Sequence, residues 1–167
     1  MTATLGYALF DQLENDASTS FSDSYQSHLS LAERADEAGF THWFKSEHHH
    51  VPLDIAPSIN VFLSAVIQRT THIRVASLVH LLPFYDPMRL YEELCMLDHL
   101  SNGRLEFGVG RGGVMEAYFW GSDPDAEGNY AKYLETLEII KLGLAGRNLT
   151  YSGKYYSFDD LPMPCAK

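Results

Sequence analysis

Short apolar runs alternate with longer stretches of helical period along the chain. "LGYALF" (Leu5–Phe10) predicts a strand, followed by a polar loop rich in Ser and Asp. A helix is predicted to begin near "SFSDSYQ", capped by Ser22 or Asp23. Tyr25, Leu29, Ala32 and Ala35 share one face of it, and Gly39 lies just past its end. "THWFK" (Thr41–Lys45) is the second strand. The second helix runs from Pro57, a good first-turn residue, to Arg69, with Ile59, Phe62, Leu63 and Val66 as its stripe. The third strand, Ile73 to Leu78, is mostly apolar, as expected of a strand covered on both faces. A third helix starts near Pro87, turns Leu90, Leu94 and Leu97 inward and ends by Asn102–Gly103. "RLEFGVG" (Arg104–Gly110) is the fourth strand. The fourth helix, from Asn129 to Leu144, carries Tyr133, Leu134, Leu137 and Ile140 at helical spacing, and the tail predicts a hairpin around Ser152–Gly153.

Four β/α units in succession imply parallel strands joined by right-handed crossovers. The pattern fits both an open doubly wound sheet and part of a (β/α)8 barrel. In either case ligands gather at the carboxyl ends of the strands, so the polar residues following each strand carry the chemistry. Glu47, His48, His49 and His50 follow strand two, His80 follows strand three, and Gly110–Arg111–Gly112–Gly113 follows strand four.

Composition narrows the function. The 167 residues are enough for one domain with a core, and 46% hydrophobic with 20% charged residues is the mix of a globular protein. With 22 acidic against 12 basic side chains the net charge is −10, so the chain lacks the basic face that a nucleic-acid binder needs. Nothing approaches the roughly 20 apolar residues of a membrane helix. The N-terminus has no basic flank before its apolar segment, so it does not read as a signal peptide, and a cytoplasmic protein is expected. Cys95 and Cys165 form no spacing motif; Cys95 sits in an apolar helical pattern as a small core residue.

The three successive histidines raise a metal site, with Glu47 or His80 as a further ligand, but no HxxxH or His-carboxylate spacing supports it. Solvated or capping histidines are the plainer reading for His49 and His50. His48, at a strand end beside Glu47, is better placed for proton transfer, because a neutral imidazole near pH 7 takes or gives a proton and a nearby carboxylate holds its tautomer. "GVGRGG" places an arginine among glycines at a strand end. Converging backbone N–H groups and a guanidinium suit an anion there, although a tight turn with a surface arginine explains the same residues.

"SEHH", "APS", "IRVASLVHLLPFYDPMRLYEELCMLDHLSNGRLEFGVGRG" and "YSGKYYSFDD" together resemble the bacterial luciferase-like family of flavin-dependent monooxygenases. The resemblance extends from Leu5 to about Asp160 and is most specific between Ile73 and Gly112. It implies a (β/α)8 barrel, reduced FMN or the deazaflavin F420, a flavin reductase as partner, and insertion of one oxygen atom from O2 into a small organic substrate such as an aldehyde. It places the acid/base histidine on His48, with Glu47 and His49 at the flavin, and the phosphate-binding arginine on Arg111, with Gly112 and Gly113 beside it. Ser77 and Leu78 fall where the backbone meets the flavin ring, often through a cis peptide. A second phosphate-binding arginine, common in the family, is replaced here by Gly128 or Tyr130. No metal is implied. A full barrel takes about 250 residues, so the chain corresponds to a single domain, residues 1–167, that is the N-terminal half of one. The expectation is then a homo-oligomer or a second chain supplying the missing units. A non-catalytic flavin-binding or partner subunit and an inactive truncated product are the alternatives.

Overall fold

The computed structural model describes residues 6–14, 16–120 and 126–165. They form two compact units. One holds the described residues up to His80 together with Leu97–Gly108; the other holds Leu81–Met96 and the described residues from Val109 onward.

The first unit contains β1 (Ala8–Asp11), α1 (Phe21–Glu37), β2 (His42–Lys45), α2 (Ile59–Arg69) and most of β3 (Arg74–Leu81). It also takes in the end of α3 (Pro87–Leu100) and most of β4 (Leu105–Gly110). The strands lie in sequential order, β1-β2-β3-β4, with β1 and β3 both parallel to β2. Successive side chains on a strand point to opposite faces. Leu9, Trp43 and Val75 accordingly share the side that packs on Leu29, Ala32 and Ala35 of α1 and on Ile59, Phe62, Leu63 and Val66 of α2. The helix faces expected from the sequence are therefore those that build this core. The opposite side of the sheet is less covered within the unit: Phe10 is 52% exposed.

Several boundaries differ from expectation for local reasons. The cap of α1 is Ser20, whose Oγ accepts from the Asp23 N–H at 3.1 Å, so the helix begins before both Ser22 and Asp23. Gly39 follows the helix with φ +81°, a backbone state in which glycine carries no steric penalty. Helix α2 begins at Ile59, leaving Pro57 outside it. Leu5 lies outside the described residues, and β1 ends at Asp11. Strand β3 extends to Leu81, so His80 lies within it rather than after it.

Two polar side chains fasten the amino-terminal side of the sheet. Asp36 accepts the N–H groups of Thr71, His72 and Ile73 at 2.6–2.9 Å. Burial raises the pKa of this carboxyl, but these donors outweigh it and hold the group below its ordinary value. Arg104 reaches the carbonyls of Ile67, Thr70 and Ile73 at 2.8–3.1 Å, closing the end of α2 onto the start of β3.

The second unit contains a 3-10 turn (Leu82–Phe84), the first part of α3, α4 (Val114–Phe119), α5 (Ala126–Leu144) and an antiparallel hairpin, β5 (Leu149–Ser152) with β6 (Ser157–Leu161). Tyr91, Cys95, Ile139, Leu149 and Met163 form its core, with Cys95 in the buried place expected of it. Glu135 of α5 accepts from the N–H groups of Lys154, Tyr155 and Tyr156, which fixes the hairpin connection to the helix. The buried stripe of α5 agrees with the predicted one at Ile140 but not at Leu134, which is 45% exposed; Thr136 and Ile139 are buried beside Ile140 instead. Helix α4 was not anticipated from the sequence.

Candidate functional site

The strand register brings Asp11, Lys45 and Ser77 into one row at the carboxyl ends of β1, β2 and β3. All three are buried on the side of the sheet that faces the helices. Buried polar groups need partners, and each of these has one. Asp11 Oδ1 lies 2.6 Å from His28 Nδ1 of α1. Lys45 Nζ donates to Asp54 and, at 2.6 Å, to the Ser46 carbonyl. Ser77 Oγ donates to the Gly108 carbonyl at 2.9 Å and accepts the Gly108 N–H at 3.0 Å. A Cβ on Gly108 would lie 2.2 Å from the Ser77 carbonyl oxygen, so only glycine admits this approach of β4 to β3.

Directly after Lys45 the chain leaves the sheet through Ser46, Glu47, His48, His49 and His50. Glu47 is buried, and its Oε1 is hydrogen-bonded to His49 Nε2 at 2.8 Å. His48 is half-buried between them, and His50 is exposed, with a left-handed φ of 58° where the chain turns back. Glu47, His48 and His49, predicted to act together, thus occupy one turn at the end of β2. Leu78 follows Ser77 and is 47% exposed; the cis peptide is the next bond along, Leu78–Val79, one residue beyond the predicted position. Ser77 itself is held in place on both hydrogen-bonding sides by Gly108.

His80 has a different environment from the histidine cluster. It is fully buried, its Nε2 lies 2.7 Å from Asn60 Oδ1, and its ring packs at 5.0 Å on Phe107. Burial pushes its pKa down to about 3, so it is neutral at physiological pH. Among the described residues, no group of three or more His, Cys, Asp or Glu side chains is arranged to hold a metal ion.

In the second unit, Arg111 is exposed, and its carbonyl accepts from Asn129 Nδ2 at 2.9 Å. Gly112 has φ +75°, and a Cβ there would meet the Phe84 ring at 2.8 Å. The Gly113 N–H donates to Glu116 Oε2 at 2.6 Å, so a carboxylate of the same chain already sits where an anion would be received. Asn129 escaped the sequence reading although it adjoins Gly128 and Tyr130. It is buried, and its Oδ1 has no hydrogen-bond partner, which leaves an acceptor beside the Arg111 backbone. An asparagine early in a helix reads as an ordinary surface residue, and nothing in the local pattern marked its burial.

Four consecutive β/α units whose strands lie in the sequential order β1-β2-β3-β4 match part of a (β/α)8 barrel rather than a doubly wound sheet, whose strand order reverses. The family model for luciferase-like monooxygenases matches residues 4–166, and the chain belongs to that family. A Sinorhizobium fredii protein, y4wF, is 40% identical over 164 residues, covering 98% of this chain and 47% of the relative. Limonene 1,2-monooxygenase of Rhodococcus erythropolis is 34% identical over 134 residues, 79% of this chain and 34% of its own length. Among solved structures, monooxygenase RslO1 from Streptomyces bottropensis superposes with a TM-score of 0.89 at 27% identity, covering 95% of this chain and 49% of that one. The FMN complex of the 3,6-diketocamphane monooxygenase oxygenating constituent from Pseudomonas putida has the same fold, with a TM-score of 0.84 at 21% identity, covering 95% of this chain and 45% of that one. The chain spans about half the length of the relatives it matches. Among the described residues no helix is long and apolar enough to cross a membrane.

Proposed function

We propose that this protein works as a luciferase-like flavin-dependent monooxygenase, or as one part of such an enzyme, acting on a small organic substrate such as an aldehyde. The observation that carries the reading is the turn at the end of β2, in which buried Glu47 holds His49 beside His48, in a chain of this family. Reduced FMN would supply two electrons, so that, with two protons, one atom of O2 enters the substrate and the other leaves as water; the deazaflavin F420 in its place would supply a hydride instead. His48 is the group that gives or takes the proton at the reacting centre, and Glu47 keeps the neighbouring His49 ring oriented. Ser77 and Leu78 present backbone to the flavin ring.

Arg111 and Gly112 hold the flavin phosphate, a role that suits an exposed guanidinium beside a left-handed glycine. The unpartnered Asn129 Oδ1 suits a hydroxyl of the attached chain. Gly113 joins them only when Glu116 releases its N–H. A reductase supplies the reduced flavin. The exposed Phe10 and Leu78 supply apolar surface for a second copy or for a chain carrying further β/α units.

The test is reductase-coupled turnover under 18O2 with FMN and a panel of aldehydes, reading 18O in the product. Substrate-dependent incorporation of one labelled atom supports the reading. The Glu116 contact favours one alternative, a non-catalytic subunit, which would give flavin oxidation with no labelled product.

A further inference from the structure

We propose that the buried Lys45–Asp54 ion pair is the positioning device of the Glu47–His48–His49 turn, an inference that rests on the monooxygenase role assigned to that turn. Both side chains are fully buried. Removing an ammonium and a carboxylate from water is costly, and a well-packed apolar pair of similar size often serves stability as well or better. Core stability therefore does not account for the pair. Its hydrogen bonds do. Lys45 Nζ donates to the Ser46 carbonyl at 2.6 Å and to Asp54 Oδ2. The same Oδ2 accepts the Ser46 hydroxyl at 3.1 Å, and Oδ1 accepts the Ala56 N–H at 2.8 Å. One ammonium–carboxylate pair thus ties the first residue of the segment leaving β2 to the place where that segment re-enters the fold, before α2.

Everything between those anchors, including Glu47, His48, His49 and the reversal at His50, is a loop closed at its base. Loops are otherwise mobile, and proton transfer needs a donor fixed within a fraction of an ångström. The charges around Lys45 extend the same arrangement. Burial lowers the pKa of Lys45, and the charges of Asp54, of Asp11 on β1 with His28 of α1 on its other side, and of Glu47 oppose that effect. A single buried ammonium therefore lies among three carboxylates, one of which is the partner of His49. The path of constraint runs from Lys45 through the Ser46 carbonyl to Glu47 and then to the His49 ring.

Single removal of either charge strands the other in the core and risks unfolding, so the informative variant removes both: Lys45→Met with Asp54→Leu in the full chain. A milder second variant, Ser46→Ala, deletes only the hydroxyl bond to Asp54. Two readouts are taken, the ring 1H–15N signals of His48 and His49 across pH, and kcat against KM in the reductase-coupled assay. The proposal expects a cooperatively folded double variant whose His49 ring signals move away from those of the parent. It expects kcat to fall by up to about 10²-fold, the usual cost of ångström-scale misplacement, with KM much less affected. Ser46→Ala should move the same ring signals in the same direction, by less. Parent-like His48 and His49 signals in Ser46→Ala, or in a folded double variant, would overturn the proposal. The ring signals need no turnover, so absence of oxygenase activity would count against the proposed function while they still decide the positioning role.

Discussion

Burial of His80 makes the protein sensitive to acid in a window that can be worked out in advance. In the folded state the ring is neutral down to about pH 3, because burial penalises the imidazolium. In the unfolded chain it takes up a proton near its ordinary value of 6.5. Below that pH the unfolded state binds a proton that the folded state does not, so stability falls as pH falls, until the folded ring also titrates. The slope for one proton approaches about 1.4 kcal/mol per pH unit once the unfolded ring is protonated, which gives roughly 2 kcal/mol between pH 6.5 and 4.5. Two other shifted groups act in a lower window. Glu106, held low chiefly by Arg74, and Asp36, held low by backbone N–H groups against the effect of burial, lose their contributions only as pH falls below the ordinary carboxylate values of 4.5 and 3.8. The comparison protein is His80→Gln, which retains an amide donor for Asn60 and has no titrating ring. Urea unfolding followed by circular dichroism, from pH 7 to 4.5, should give a parent curve that falls more steeply than that of the variant by the amount above. Parallel curves would show that His80 takes its proton without unfolding and would refute the argument.

Three further outcomes follow from the geometry. His48→Ala should slow oxygenation by about 10²–10⁴-fold, the usual range for losing general acid–base help; unchanged turnover at saturating reduced flavin removes this histidine from the mechanism. Glu116→Gln should tighten FMN by about 1 kcal/mol, the net scale of one ordinary hydrogen bond, because an uncharged side chain competes less for the Gly113 N–H; calorimetry that shows weaker or equal binding contradicts this. Gly108→Ala should lower the thermal midpoint sharply, since its Cβ has no room beside the Ser77 carbonyl, and a midpoint equal to the parent's would show that β4 shifts freely.

Legibility in the sequence followed how local each determinant is. Leu29, Ala32 and Ala35 on α1, and Ile59, Phe62, Leu63 and Val66 on α2, declare their buried face through helical spacing alone. The α5 stripe was harder, because Asn129 and Thr136 are buried there while Leu134 is exposed, the reverse of what hydropathy suggests. Helix α4 has six residues, too few to show a period, and it follows a run of glycines. At the site, the succession Glu47–His48–His49 after an apolar strand was visible as chemistry. Lys45 was not, since a lysine at a strand end reads as solvated, and its burial depends on a partner nine residues later across a turn. The contest between Glu116 and an incoming anion for the Gly113 N–H also depends on side-chain direction, which no motif encodes.

The proposed function requires this chain to hold a reduced flavin by its phosphate. Anaerobic titration of the protein with reduced FMN and, in parallel, with reduced riboflavin tests this most directly. The prediction is saturable binding of reduced FMN, weakened by about 1.5–3 kcal/mol in Arg111→Ala, the scale of a charge-assisted phosphate contact, with riboflavin bound more weakly and indifferent to the substitution. Equal affinity for the two flavins, or no binding of either, would contradict it.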